Sequence, residues 1–395
     1  MKLVIPITIV SYSRSYFMMI IITLRKEEII MSSMGSQGIW KYAQYLPSVA
    51  EENRVTLGEG HTPLIPSVSI GKELGLTNLY FKLESLNPTG SYKDRISALA
   101  LSLAKQAGKT ACIGTTSGNA GASLAAYAAR ARLPYYVYVQ ENIIPAKLEQ
   151  IVVHQAKVCK VKGMGYSPEI GTKVFEMVRE KAKRHNWEPA ITAFAYAPKA
   201  MEAVKTIAWD IQKELGCTPD AVFSPVGGGG LFSGIYYGFR DLLLRHATDK
   251  LPRMVACQSA GCSNLVRGYN EGLDRPASGS STSLISGIQV PSPPDASIAF
   301  EALRESNGFG EVIEDTITWK WQEELAAKEG IYAEPAGAIA LASVVQAMKA
   351  GKLNPHDKIV CIVSGAGYKD VDRQHNMVAP YMDLPLHDLE QLLNE

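Results

Sequence analysis
Short apolar runs and longer amphipathic stretches alternate along most of this chain. Runs of strand length stand at 79–83, 110–114, 135–139, 156–161, 221–226, 254–258 and 358–363. Between them, apolar residues recur at helical spacing over 96–108, 145–155, 168–186, 198–215 and 231–244, and 122–130 is rich in alanine. A further helix follows Ala338 and ends near Lys349. Repeated alternation of the two periods predicts an α/β fold with mostly parallel sheets flanked by helices. With 395 residues the chain can bury a large core, and two lobes of ordinary domain size are expected. No internal repeat is visible.

The one discordant segment is the first. Residues 1–24 are apolar, but Arg14 interrupts them and the run from Tyr16 to Leu24 is too short to span a bilayer. No small-residue cleavage site follows. Residues 1–30 are therefore read as an N-terminal extension of no assigned role. Met31 or Met34 offers an alternative start, and the folded part begins near Gly38-Ile39-Trp40. The chain as a whole has the composition of a soluble protein, with 46% apolar and 20% charged residues. A net charge of +1 leaves no electrostatic footprint for nucleic acid or an anionic membrane. The six cysteines form no CxxC pair and no cluster with histidine. Buried free thiols in a reducing compartment are expected rather than disulfides or a metal site, and cytoplasm is the default location.

Chemistry concentrates where strands end. Asn87-Pro88-Thr89-Gly90-Ser91-Tyr92-Lys93-Asp94-Arg95 runs from a strand into a helix, and Ser91 is the expected N-cap. That places Lys93 at the positive end of a helix, where the dipole favours anions. A lysine so placed, once buried, tends toward the neutral nucleophilic amine of Schiff-base chemistry. The bland alternative is a solvated lysine beside its own Asp94. Thr115-Thr116-Ser117-Gly118-Asn119-Ala120-Gly121 repeats the strand–loop–helix geometry that turns backbone N–H groups toward an anion. Gly227-Gly228-Gly229-Gly230 does so again. Four glycines carry a high entropic cost unless the backbone wraps something. No Lys-Ser/Thr follows and no GxGxxG is present, so a small cofactor phosphate is expected rather than a nucleotide. His61 lies in the loop Gly58-Glu59-Gly60-His61-Thr62-Pro63-Leu64 and is given no chemistry.

Four pieces in this order, the Asn87–Arg95 segment, Thr116-Ser117-Gly118-Asn119-Ala120-Gly121, the tetraglycine and Ser364-Gly365-Ala366-Gly367, resemble the tryptophan-synthase-β superfamily of pyridoxal-phosphate enzymes. Within it, the first piece, the Gly58–Leu64 loop and Gly365-Ala366-Gly367-Tyr368-Lys369-Asp370 look most like threonine synthases. The resemblance spans about residues 38–372. It implies a two-lobed fold type II architecture, each lobe a mostly parallel twisted sheet flanked by helices, with the cofactor in the cleft between them. The large cofactor-binding domain would comprise 31–95 and 203–395, and a small mobile domain 96–202. Lys93 would hold pyridoxal 5'-phosphate as an imine and later carry protons. Asn119 would bond the ring's 3-hydroxyl, Gly227, Gly228, Gly229 and Gly230 the phosphate, and Ser364 would face the pyridine nitrogen. Thr116, Ser117 and Gly118 would grip the substrate carboxylate, with Ser117 also a candidate acid or base opposite Lys93. A homodimer is implied as well.

One stretch departs from the pattern. Threonine synthases usually grip their substrate's phosphate with an Asn-Ser-x-Asn-Pro-x-Arg segment. Here Phe194, Ala195 and Ala200 stand at the Asn, Ser and Arg positions. Apolar replacements would leave a phosphoester dianion desolvated and unpaired. A lyase of threonine-synthase type is therefore expected. It would catalyse β- or γ-elimination or replacement on a small L-amino acid other than O-phosphohomoserine, its side chain meeting Phe194 and Ala200. A serine/threonine dehydratase is the alternative, favoured slightly by Glu334-Pro335-Ala336-Gly337, although Glu334 reads more simply as a helix cap. A non-catalytic cofactor-binding protein is the third reading. The intact Lys93, Asn119 and Ser364 speak against it.

Overall fold
A computed structural model describes residues 37–378, 381 and 383–394. The N-terminal extension 1–30 lies outside the described residues. Among the described residues, ten strands form two sheets. Strands β1 (Leu64–Pro66), β2 (Asn78–Lys82), β7 (Ala221–Pro225), β8 (Arg253–Ser259), β9 (Phe309–Ile313) and β10 (Lys358–Ile362) make a six-stranded sheet in the order β1-β2-β10-β7-β8-β9. Its pairings are parallel except for β1 against β2. Strands β3 (Cys112–Thr116), β4 (Tyr135–Gln140), β5 (Lys157–Val161) and β6 (Glu188–Pro189) form a parallel sheet in the order β5-β4-β3-β6. Among the described residues, no helix is long and apolar enough to cross a membrane.

The large sheet is covered on both faces, and its sequence says why. Side chains of a strand alternate between faces. Ile359 and Cys361 of β10 enter one core with Phe223, Val255 and the helix Pro335–Lys349. Val360 and Ile362 enter the other with Val222, Met254, Ala256 and the helix Gly230–Leu244. Strands apolar at every position suit a sheet sandwiched between helices.

Several elements depart from expectation. Strand β3 begins two residues later than the apolar run suggested. The helix over 198–215 is three pieces: Pro198–Met201, a 3-10 turn Glu202–Val204, and Lys205–Leu215. Strand β9 carried no strong sequence signal: Gly310 and Glu311 interrupt its apolar positions, yet it pairs with β8 over five residues.

Beneath the start of the Lys93–Gln106 helix lies a buried charge cluster. Arg95 is fully buried and forks onto Glu84, with Nε 2.8 Å from Oε2 and Nη2 2.7 Å from Oε1. Its Nη1 lies 2.8 Å from Asp210, which also meets Lys41 and the Tyr42 hydroxyl. Burial alone would raise both carboxyls. The Arg95 guanidinium and the neighbouring Lys82 outweigh it and hold Glu84 and Asp210 below the usual carboxylate range. All six cysteines are free. Cys112, Cys257, Cys262 and Cys361 are buried and Cys159 is exposed.

Candidate active site
Lys93 is the first residue of its helix, but Ser91 does not cap it. Among the described residues the buried Ser91 hydroxyl has no partner, while its carbonyl accepts from the Asp94 N–H. The turn is held instead by the Asp94 carboxylate, which accepts from the Thr89 N–H at 2.6 Å and from the Thr89 hydroxyl. Asp94 is thus buried and turned away from Lys93, which removes the reading of a solvated Lys–Asp pair. Gly90 sits at φ +81, and a Cβ there would lie 2.3 Å from the Tyr368 hydroxyl. An antiparallel bridge joins Ser91 to Gly365, and the Tyr92 N–H donates to the Ser364 carbonyl at 3.2 Å. Two motifs about 270 residues apart in sequence are stitched together there.

The Lys93 amine looks into a cavity of about 320 Å³. It donates to the Thr192 hydroxyl at 2.9 Å and lies 4.7 Å from the centre of the Tyr92 ring. Thr116, Ser117, Asn119, Gly227, Gly228, Gly229, Gly230 and Ser364 line the same cavity. Thr116 shapes its loop by accepting at Oγ1 from the N–H groups of Gly118 and Gly121. The tetraglycine leads into the 15-residue helix Gly230–Leu244, with Gly229 at φ +91. The amides of Gly227, Gly228 and Gly229 have no acceptor among the described residues. A Cβ on Gly227 would lie 2.3 Å from the Gly287 carbonyl, so the turn admits only glycine there.

Three predicted residues stand off the cavity. Gly118, at φ +154, passes against Lys147, where a Cβ would lie 2.4 Å from its Cδ. Phe194 is buried edge-on against Tyr237, with ring centres 5.4 Å apart. Ala200 lines a separate depression with Pro198 and Lys199. Neither Phe194 nor Ala200, expected to meet a substrate side chain, lines the cavity, which Thr192, Ala193, Tyr196 and Phe175 line instead. The Phe194 and Ala195 N–H groups, at 3.0 and 2.9 Å, are taken by the carboxylate of buried Asp295. Burial raises Asp295, against the pull of those two N–H groups and of Lys93.

Sequence reading also missed Lys147 as a site residue and mistook Glu334. Glu334 precedes the Pro335–Lys349 helix, yet its side chain makes no cap. It turns into the cavity, accepts from Asn119 Nδ2 at 2.7 Å and pairs with Lys147 at 3.0 Å. The signal for Glu334 was its place before Pro335. For Lys147, in the first turn of an amphipathic helix, there was none.

Unpaired amides at a helix start suit a small phosphate, and an amine across the cavity suits a carbonyl. The buried Asn119 Oδ1, which lacks a partner among the described residues, and the Ser364 hydroxyl add polar groups for a ring between them. The residues present thus fit pyridoxal phosphate, and fold and site together define a fold type II enzyme of that cofactor. Comparison agrees: residues 55–365 match the family described as pyridoxal-phosphate dependent enzyme, and the chain belongs to it as a threonine synthase-like member. The threonine synthase of Methanocaldococcus jannaschii is 35% identical over 353 residues, covering 88% of this chain and 83% of that one. The threonine synthase of Halalkalibacterium halodurans is 34% identical, covering 84% and 88%. Among solved structures, maize serine racemase superposes with a TM-score of 0.66 at 17% identity, covering 85% of this chain and 92% of that one. Diaminopropionate ammonia lyase of Escherichia coli reaches 0.68 at 18%, covering 85% and 95%. Those two likenesses speak for the fold alone.

Proposed function
We propose that this enzyme is a lyase that carries out β- or γ-elimination, with or without replacement, on a small L-amino acid whose side chain bears no phosphate. Pyridoxal phosphate, when bound, supplies the electron sink that makes the substrate's Cα–H acidic. Lys93 takes and returns that proton, and Thr116, Ser117 and the start of the Asn119–Ala131 helix hold the substrate carboxylate. The amides of Gly227–Gly230 hold the cofactor phosphate. Ser364 meets the ring nitrogen with a hydroxyl rather than a carboxylate, which suits reactions whose leaving group departs promptly. Residues 96–202, which contain the four-stranded sheet, are taken as the body that closes over the substrate. The enzyme is proposed to be cytoplasmic and a homodimer.

The observation that carries the substrate reading is the charge along the cavity wall. Among the described lining residues the cations are Lys93 and Lys147. The first has the proton-carrying role and the second is paired with Glu334. The Phe194 and Ala195 amides already serve the Asp295 carboxylate, so a second anion there would meet a like charge. A phosphate dianion needs several charge-assisted donors. In a screen of the bound cofactor's absorbance, uncharged amino acids are expected to perturb the spectrum at lower concentration than O-phosphohomoserine. Efficient threonine formation from O-phosphohomoserine would sink this reading. The dehydratase alternative predicts ammonia and a keto acid from serine or threonine.

A further inference from the structure
Glu334 and Lys147 form an ion pair with 2% and 1% exposure. Space for it is cleared by two glycines from separate motifs. A Cβ on Gly365 would lie 2.2 Å from Glu334 Oε1, and Gly118 gives way to the Lys147 stem. Lys147 is further fixed by donating to the Ser286 hydroxyl at 3.1 Å. A buried ion pair is a weak source of stability, since apolar residues of similar volume often do as well. Its geometry points to another use.

Glu334 Oε1 accepts a hydrogen bond from Asn119 Nδ2. A carboxylate only accepts, so it decides which end of the amide turns toward it. The opposite orientation would set two acceptor oxygens together. Asn119 Oδ1 is left buried and without a partner among the described residues, and an amide oxygen accepts but does not donate. We propose that Glu334, clamped by Lys147, is a positioning residue that makes Asn119 offer its amide oxygen, not its nitrogen, to the ring hydroxyl of the cofactor. This rests on the assignment of Asn119 to that hydroxyl. The hydroxyl then keeps its proton in the resting enzyme, and the neutral-ring absorption band gains at the expense of the ionised, longer-wavelength one.

The test is the absorption spectrum of purified holoenzyme at one pH, with melting temperature recorded alongside. Glu334→Gln frees the Asn119 amide to turn and donate. The ratio of ionised to neutral bands is expected to rise about tenfold, the scale of one hydrogen bond to a charged group. Glu334→Asp, which keeps the carboxylate, should restore much of the original ratio. Lys147→Met removes the clamp that holds the Glu334 carboxylate against Asn119, so it should shift the ratio in the same direction as Glu334→Gln, and it serves where Glu334→Gln folds poorly. Unchanged ratios with a lowered melting temperature would overturn the proposal and leave a purely structural pair. A shift that persists when Asn119→Ala is combined with Glu334→Gln would overturn the Asn119 assignment instead.

Discussion

Lys93→Ala protein is expected to be folded, colourless and inactive. The Lys93 amine makes its hydrogen bond with Thr192, at the cavity wall rather than in a core, so its loss leaves the packing in place. On the role proposed for Lys93, the loss of the proton carrier alone is expected to cost roughly 10²–10⁴-fold in turnover, and loss of the imine adds to that. Wild-type protein should bleach on borohydride with the cofactor fixed to the peptide containing Lys93. The variant should release its cofactor on dialysis. Lys93→Arg keeps the charge without the nucleophile and should fail in the same way. Wild-type turnover by Lys93→Ala would remove the site assignment altogether.

The second large effect is on stability. Arg95→Met is expected to cost about 3–5 kcal/mol, the usual penalty for stripping one partner from a buried ion cluster. That is a substantial part of the 5–15 kcal/mol or so that holds a typical domain together, and a lowered urea midpoint would measure it. The dependence on pH should change as well. Glu84 and Asp210 are held below their ordinary values of 4.5 and 3.8. Their contribution is therefore complete above those values and is lost as pH falls through the lower folded ones. Without Arg95 this acid limb should flatten. An acid limb as steep in Arg95→Met as in wild type would mean that other carboxylates govern it.

Local signals explain why much of the fold was legible. Apolar runs such as 221–226 and 358–363 are buried on both sides, and the glycine-rich ends of β3, β7 and β10 meet at one cavity. Strand β9 was not legible because Gly310 is packed against Val266, a tertiary reason for a residue that weakens any strand pattern. For Phe194, a one-dimensional match gives position but not direction, and its ring packs against Tyr237 off the cavity. Glu334 and Lys147 were hidden for a related reason. Charged residues at the starts of helices normally face water, and only the missing side chains of Gly118 and Gly365 let these two turn inward.

The buried thiols give the molecule an internal clock for breathing. Cys112 belongs to the four-stranded sheet, and Cys257 and Cys361 lie on strands β8 and β10 of the six-stranded one, either side of β7. Burial pushes the Cys112 thiol up to about 12 and raises the other two as well. An alkylating reagent therefore reaches each of them only while its own sheet is open, whereas exposed Cys159 reacts at once and marks time zero. The order in which Cys112, Cys257 and Cys361 become labelled tells which half of the cleft loosens first, without any residue being substituted.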